Sequence, residues 1–294
     1  MAVTAFAPAK VNLYLELTGR RPDGYHLLDS LVGFVDIGDR VTARPAAGLS
    51  VEVTGPEAAN LAARGDDNLV LRAARLLAEH AGTRRAGAAL HLDKNLPVAA
   101  GVGGGSSDAA AAMRALCMLW RLAVGEPVLA ALGAQLGADL PVCLYARAAW
   151  VGGAGERIEP APDLPRAGIL LANPRRPLAT AAVFAARGGA FAAPGERFAT
   201  MPSDAAGLAR ALACRRNDLT EAAIGLVPEI AAVLAALARL PGALLTRMSG
   251  SGATCFALFA DRAAAEQACA ALAAAEPHWW HAAGSLVAGT AISR

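Results

Sequence analysis

Residues whose types and spacing suit chemistry fall in three separated stretches. The first is the glycine-rich segment PVAAGVGGGSS at 97–107. Gly103, Gly104 and Gly105 permit positive φ and close backbone approach. A helix is expected to open at Ser106, Ser107 and Asp108. Its unpaired N–H groups and positive dipole end point at whatever the loop holds, an arrangement suited to phosphate. Ser106 and Ser107 add hydroxyls for a phosphate or a phosphate-bound Mg²⁺. The same residue types also cap helices with no ligand present. No lysine follows the last glycine, so this is not a Walker-type loop. A dinucleotide fingerprint fits poorly, and protein-kinase elements are absent.

The second stretch is LGADLPV at 136–142, and the third is AKVNLYL at 9–15. Phosphoryl transfer needs phosphate positioning, charge neutralisation and a base near the acceptor hydroxyl. Asp139 is expected at a turn between a helix and a strand, because Pro141 disfavours a continuing helix. There it presents a carboxylate from a fixed point, or merely closes the turn. Lys10 and Asn12 share one face of a strand. Lys10 is either a site residue or an edge-protecting lysine. The chain has 27 basic residues, of which only Lys10 and Lys94 are lysine. Arg and Lys differ wherever a compact point charge must fit, so both survivors stand out.

These side chains need a scaffold of strands and helices. Apolar–polar alternation predicts strands at 3–18, 31–35, 41–44, 49–53 and 88–93. A helix is expected over 69–82, with Asp66 or Asp67 as its cap. Helices at 107–122 and 128–136 and a strand at 143–150 follow. Pro160, Pro162 and Pro165 mark a domain boundary. Beyond it, strands are expected at 168–172, 255–259 and 286–291. Helices are expected near 180–186, 205–213, 228–238 and 262–274. Residues 188–200 are the least patterned and are expected to form a mobile loop. The mixture predicts an α+β fold rather than a doubly wound sheet.

Composition narrows the function classes. The 294 residues allow one large or two modest domains. Net charge is +2 with both signs interspersed, and no basic stripe points to nucleic acid. Mean hydropathy is +0.39, inflated by alanine. The longest stretch free of charged residues, 277–293, contains Pro277, His278 and His281, so no membrane span is expected. The N-terminus lacks a signal-peptide pattern. Five scattered cysteines suggest free, buried thiols in a reducing cytoplasm. The Trp279–Trp280 pair is expected to pack between domains or at an interface. No metal-ligand cluster is evident.

Together, AKVNLYL (9–15), PVAAGVGGGSSDAA (97–110) and MSGSGATCFALF (248–259) resemble, in order and spacing, the GHMP small-molecule kinase superfamily. RRPDGYHLLDSL (20–31) and LGADLPV (136–142) narrow the resemblance to members acting on diphosphocytidyl methylerythritol. The resemblance implies a two-domain fold. A ribosomal-protein-like N-terminal domain would span 1–160 and a ferredoxin-like C-terminal domain 161–294. It implies ATP and Mg²⁺ as cofactors and phosphorylation of the 2-hydroxyl of the methylerythritol unit. Asp139 would be the base and Lys10 its partner. Pro97, Gly101, Gly103, Gly104, Gly105, Ser106 and Ser107 would wrap the ATP phosphates. Gly250 and Ser251 would line their far side, while Lys94, Asn68 and Leu69 would approach the nucleotide. Tyr25 and His26 would hold the cytosine, an aromatic–histidine pair suited to stacking and edge reading. Asn12, Thr180 and Phe184 would also face the acceptor.

The loop has Ala99 and Ala100 where the family usually shows at least one glycine, so its entry is expected to be stiffer. Residue 181 is Ala where proline is common, and the Mg²⁺ ligands are unassigned. The expected assembly is a monomer or weak homodimer with a small-molecule substrate. Two alternatives are a GHMP kinase for homoserine or mevalonate, which has no need of the Gly24–Tyr25–His26 segment, and a silent nucleotide-binding module. Retention of Lys10 with Asp139 argues against the second.

Overall fold

The computed structural model describes residues 1–62, 68–82, 87–193, 195–198 and 200–287. The chain opens with two long strands, β1 (Val3–Arg20) and β2 (His26–Ala46), followed by β3 (Leu49–Thr54), α1 (Ala58–Ala62), α2 (Leu69–His80) and β4 (Gly87–Asp93). Three helices come next: α3 (Gly104–Trp120), α4 (Glu126–Ala134) and α5 (Leu140–Tyr145). β5 (Ala149–Gly153) and β6 (Arg157–Pro160) complete a six-stranded sheet of order β3-β4-β2-β5-β6, with β1 beside β2. The remaining elements are β7 (Gly168–Asn173), α6 (Thr180–Ala186), α7 (Ala205–Ala213), α8 (Thr220–Leu226), α9 (Glu229–Ala238), β8 (Leu245–Met248), β9 (Cys255–Phe259), α10 (Arg262–Ala275) and β10 (Trp280–Ser285). Their strands form an antiparallel sheet of order β10-β7-β9-β8. The architecture is α+β, as expected.

β1 is buried along most of its length, on both faces. On one side it lies under α3, whose Ala109–Ala112 are fully enclosed, and these small side chains let the helix sit close. On the other side Val11, Leu13 and Leu31 join Ile169, Leu171, Phe256 and Leu258 in a core shared by both sheets. β1 and β2 pair antiparallel with register shifts at Pro8/Lys10, Asn12/Tyr14 and Leu17/Gly19. These irregularities re-aim side chains beside the site. Trp280 packs in the shared core and donates its indole N–H to the Asn95 carbonyl at 3.0 Å, while Trp279 is partly buried against a separate core of the second sheet and its helices.

Several expectations need correction. The two strands expected at 31–35 and 41–44 are parts of one 21-residue strand. β2 carries β1 along one edge while the other is shared by β4 and β5, so pairing overrides the break in its pattern. Residues 143–145 close α5 rather than opening a strand, and the strand begins at Ala149. Pro141 sits in the first turn of α5, where its missing N–H costs nothing, so it starts a helix rather than ending one. The last strand is Trp280–Ser285, before the expected 286–291, of which 288–291 lie outside the described residues. α8 and β8 were not expected. Asn68 caps α2, its Oδ1 accepting from the Val70 N–H at 2.9 Å, whereas Asp66 and Asp67 lie outside the described residues. All five cysteines are unpaired, but only Cys143 and Cys255 are buried; Cys117 and Cys269 are partly buried and Cys214 is exposed.

Candidate active site

A cavity of about 600 Å³ lies where the glycine loop, β1 and the 248–254 turn converge. α3 begins at Gly104, three residues earlier than expected, so Gly104, Gly105 and Ser106 form its first turn and line the cavity. The N–H groups of that turn have no intrahelical acceptor, and they face the space with the dipole behind them. Gly103 precedes the helix at φ +62°, and a Cβ there would stand 3.2 Å from the Lys10 side chain. Gly101, at φ +75°, passes the Ser249 carbonyl so closely that a Cβ would lie 2.4 Å from its oxygen. These two glycines let the loop touch β1 and the 248–254 turn at once. Ala99 adopts φ +53° without being glycine. The departure from the family pattern therefore falls on a residue in the left-handed region.

The loop, β1 and the turn are tied by hydrogen bonds. The Lys10 N–H donates to the Val102 carbonyl at 2.9 Å, and the Thr254 N–H to the Ala100 carbonyl at 3.1 Å. Ser249 Oγ donates to the Gly101 carbonyl at 2.9 Å and accepts from the Asn12 N–H at 3.2 Å. Asn217 Nδ2 donates to both the Met248 and Gly250 carbonyls at 2.8 Å. Thr180 Oγ1 and Ser251 Oγ lie 2.9 Å apart, joining α6 to this wall.

Lys10 and Asp139 meet at the cavity. Lys10 Nζ is 3.1 Å from Asp139 Oδ1; the lysine is buried and the carboxylate half-exposed. Asp139 precedes α5 but makes no side-chain capping bond. The turn-closing alternative therefore does not occupy its carboxylate, which faces the ammonium and the cavity.

Lys94 sits deeper. Its ammonium contacts Asp39 at 2.5 Å and Asp108 at 2.8 Å, and all three side chains are buried. Burial pulls the Lys94 pKa down, but Asp108 and Asp39 outweigh it and raise the pKa above the ordinary value. Burial drives the Asp108 carboxyl well above its usual range, against the pull of Lys94 and with Asp39 adding to the rise. Lys94 is thus a neutralised floor beneath Gly104, 3.2 Å from where a Cβ would stand.

Asn68, Leu69, Asn12, Thr180, Phe184, Gly250 and Ser251 also line the cavity. Ser107 and Pro97 do not: both are buried, and Ser107 Oγ donates to the Pro8 carbonyl at 2.7 Å. The expected role of the Ser107 hydroxyl as a phosphate donor is corrected by that bond. Tyr25 and His26 lie outside the lining. Tyr25 is 65% exposed at the tip of a turn closed by the Arg21 N–H bond to its carbonyl, at 2.7 Å. The His26 ring lies 5.4 Å from Phe184, which lines the cavity, and 6.0 Å from Phe191. Burial, then Arg20 and Arg187, lower its pKa below the ordinary value. Phe191 belongs to the 188–200 segment, whose described residues form no helix or strand.

Sequence reasoning gave no role to Asp39, Asp108, Ser249 or Asn217. Asp108 and Ser249 stood inside recognised segments. Asp39 and Asn217 carried no pattern, because tertiary contact alone brings them here.

Oxygen donors suited to a hard cation are present on the loop side. Ser106 and Asp108 line the cavity, and the buried Asp108 Oδ1 has no partner. Among the described residues no group of three His, Cys, Asp or Glu side chains could hold a metal by itself.

The GHMP kinases N terminal domain profile matches residues 68–147, and the GHMP kinases C terminal profile matches 200–278. The 4-diphosphocytidyl-2-C-methyl-D-erythritol kinase of Paramagnetospirillum magneticum is 53% identical over 281 residues, covering 96% of this chain and 97% of that protein. The protein of the same name from Rhodospirillum rubrum is 52% identical over 290 residues, covering 99% and 94%. A crystal structure of 4-(cytidine 5'-diphospho)-2C-methyl-D-erythritol kinase superposes with a TM-score of 0.78 at 34% identity, covering 97% of this chain and 100% of that one.

Proposed function

The chain belongs to the GHMP kinase family and is a small-molecule kinase, and from that footing we propose that it phosphorylates the 2-hydroxyl of 4-diphosphocytidyl-2-C-methyl-D-erythritol in non-mevalonate isoprenoid precursor synthesis. The observation that carries the chemistry is the Lys10–Asp139 pair, facing a glycine-loop helix terminus across one cavity.

Asp139 takes the proton of the acceptor hydroxyl. The resulting nucleophilic oxygen attacks the γ-phosphorus of ATP, and the bond from that phosphorus to the β–γ bridging oxygen breaks, releasing ADP. Lys10 keeps Asp139 ionised, since a neighbouring ammonium favours the carboxylate. Its charge also offsets that gathering on the transferring phosphoryl group. The first-turn N–H groups of α3 hold the phosphates from the other side. Mg²⁺, held by phosphate oxygens with Ser106 or Asp108, would neutralise phosphate charge. Phe184 and His26, with Tyr25 beside them, are the aromatic surface proposed for the cytosine end. The neutral form of His26, favoured by its lowered pKa, supplies one ring donor and one ring acceptor for reading a base edge.

An acceptor panel with ATP and Mg²⁺ tests the proposal. ADP release is expected with the diphosphocytidyl acceptor and not with homoserine or mevalonate. Equal turnover of acceptors lacking cytidine would move the function to another branch of the family. No release with any of them would leave only nucleotide binding.

A further inference from the structure

Four residues other than glycine hold a left-handed backbone among the described residues: Ala99, Arg121, Ala146 and Arg175. Arg121 and Ala146 close α3 and α5, and Ala99 belongs to the glycine loop. Arg175 stands apart, at φ +56° in the connection from β7 to α6. Glycine takes this conformation without strain, so a side chain kept there points to a use for it. Asn173 builds the turn. Its Oδ1 accepts from the Arg175 N–H at 2.7 Å, and its Nδ2 donates to Thr254 Oγ1 at 2.9 Å. Thr254 is the residue whose N–H holds the Ala100 carbonyl. The turn that aims Arg175 is thus continuous with the wall behind the glycine loop.

The Arg175 guanidinium reaches from the end of β7 to α1, where Nη1 lies 2.7 Å from Glu57 Oε1. Glu57 is 1% exposed, and its other oxygen accepts from Asn60 Nδ2 at 2.7 Å. A buried carboxylate deprived of its cation is costly, so the contact is held shut. What it holds is a cavity wall. The Glu57 N–H donates to the Lys94 carbonyl at 3.1 Å, and the Leu61 N–H to the Glu57 carbonyl at 3.2 Å. Leu61 lines the cavity with Val53, and Lys94 lies beneath Gly104 in the turn proposed to hold phosphate. Val53 and Leu61 pack on the core of the first sheet. Phe184 packs in a different core, with Leu15 and Leu17, so the proposed acceptor surface does not rest on α1.

We propose that Arg175 is a positioning residue: its pair with Glu57 is a strut between the two sheets that fixes α1 at the nucleotide end of the cleft, so that ATP, and not the acceptor, meets a preset wall. The inference rests on the kinase reading above and fails separately from it. Absence of acceptor-dependent ADP release by the unmodified chain removes the function, while equilibrium titration with ATP still reads the strut.

The test is a cycle of four enzymes: unmodified, Arg175→Ala, Glu57→Gln and the double variant. ATP and acceptor KM values and the ATP Kd are measured for each. Arg175→Ala is expected to raise the ATP KM and Kd about tenfold and to leave the acceptor KM within about twofold. With Glu57 already Gln, the same change is expected to add less than about twofold. An equal factor in both backgrounds, or a rise shared by the acceptor KM, would overturn the proposal. Arg175→Gly relaxes the backbone but removes the pair, and is expected to match Arg175→Ala. Unmodified values in the Gly variant would show that the turn alone matters and sink the strut. If circular dichroism shows Arg175→Ala unfolded, Arg175→Lys and Arg175→Met carry the test, both being long and differing in charge. Met is expected to show about tenfold the ATP KM of Lys; equal values would overturn the proposal.

Discussion

At the scale of single residues, Lys10 and Asp139 form an ion pair through Asp139 Oδ1, the pair proposed to act as base and its partner. Asp139→Asn is expected to cut kcat by about 10²–10⁴ while nucleotide binding persists, measured by steady-state rates beside equilibrium titration. Lys94 differs in kind. Its ammonium is the only cation contacting the buried Asp39 and Asp108 carboxylates among the described contacts. Lys94→Met is expected to lose about 3–5 kcal/mol of stability in urea unfolding, whereas Lys10→Arg is expected to lose turnover with little change in midpoint. Ala99 holds φ +53°, so Ala99→Gly is expected to stabilise the fold by up to about 1 kcal/mol in the same experiment. His26 supplies a pH test. Burial, with Arg20 and Arg187, lowers its pKa, so protonation favours the unfolded chain. Its contribution to stability is present above about pH 6.5 and declines as pH falls towards the lower native value. An NMR titration of the His26 ring is expected to give a midpoint below 6.5, and Arg187→Ala is expected to move it upward. Rarity made Lys10 and Lys94 legible as notable residues. It did not show that one lies beside a half-exposed carboxylate and the other between two buried ones, because Asp39 is distant in sequence and carries no pattern.

At the scale of elements, the site depends on α3 starting early enough and β1 passing close enough. The helix and the strand were both read from periodicity, and the loop between them from its glycines. The opening turn lies three residues earlier than expected because glycine disfavours helix interiors, whereas Gly104 and Gly105 fall in the first turn. Gly101 shows how tight the junction is. Gly101→Ala combines a left-handed backbone with a 2.4 Å approach to the Ser249 oxygen. It is expected to cost more than about 1–2 kcal/mol and to raise the ATP KM. An unchanged melting temperature and KM would show that the loop relaxes freely. Residues 143–145, the end of α5, read as strand because the apolar run Cys143, Leu144 and Tyr145 suits either element. Pro141 decided between them by sitting in the first turn. β2 was read as two pieces because Gly38 and Asp39 interrupt its apolar pattern, yet neighbours on both edges keep it continuous.

At the scale of the whole molecule, the two sheets are stitched through β1. The Leu15 N–H donates to the Arg216 carbonyl, the Asp218 N–H to the Leu15 carbonyl, and the Leu17 N–H to Asp218 Oδ2. Arg215 stands 3.9 Å over the Tyr14 ring and pairs with Asp29 and Glu16. The buried Arg247 donates to the Leu13, Leu212 and Arg215 carbonyls, and burial lowers its pKa to about 10. Arg247→Met removes the guanidinium donors of the Leu13 and Arg215 carbonyls and leaves the Leu212 carbonyl only its bond from the Arg215 N–H. It is expected to cost several kcal/mol, on the order of 1–3 for each unsatisfied group. It is also expected to separate unfolding reported by Trp150 from that reported by Trp280, whose transitions should coincide in the unmodified chain. None of these stitches is legible in the sequence, since those that reach β1 join residues about two hundred positions apart with no repeating pattern. The enclosure of both lysines has a practical outcome. Lys10 is 4% exposed and Lys94 2%. With 294 residues and no third lysine, the folded chain offers almost no side-chain amine to an acylating reagent. Lysine-directed crosslinking and surface immobilisation are expected to miss the folded protein. Any acylation of Lys10, read by mass spectrometry with and without nucleotide, is expected to report how often its ammonium becomes accessible.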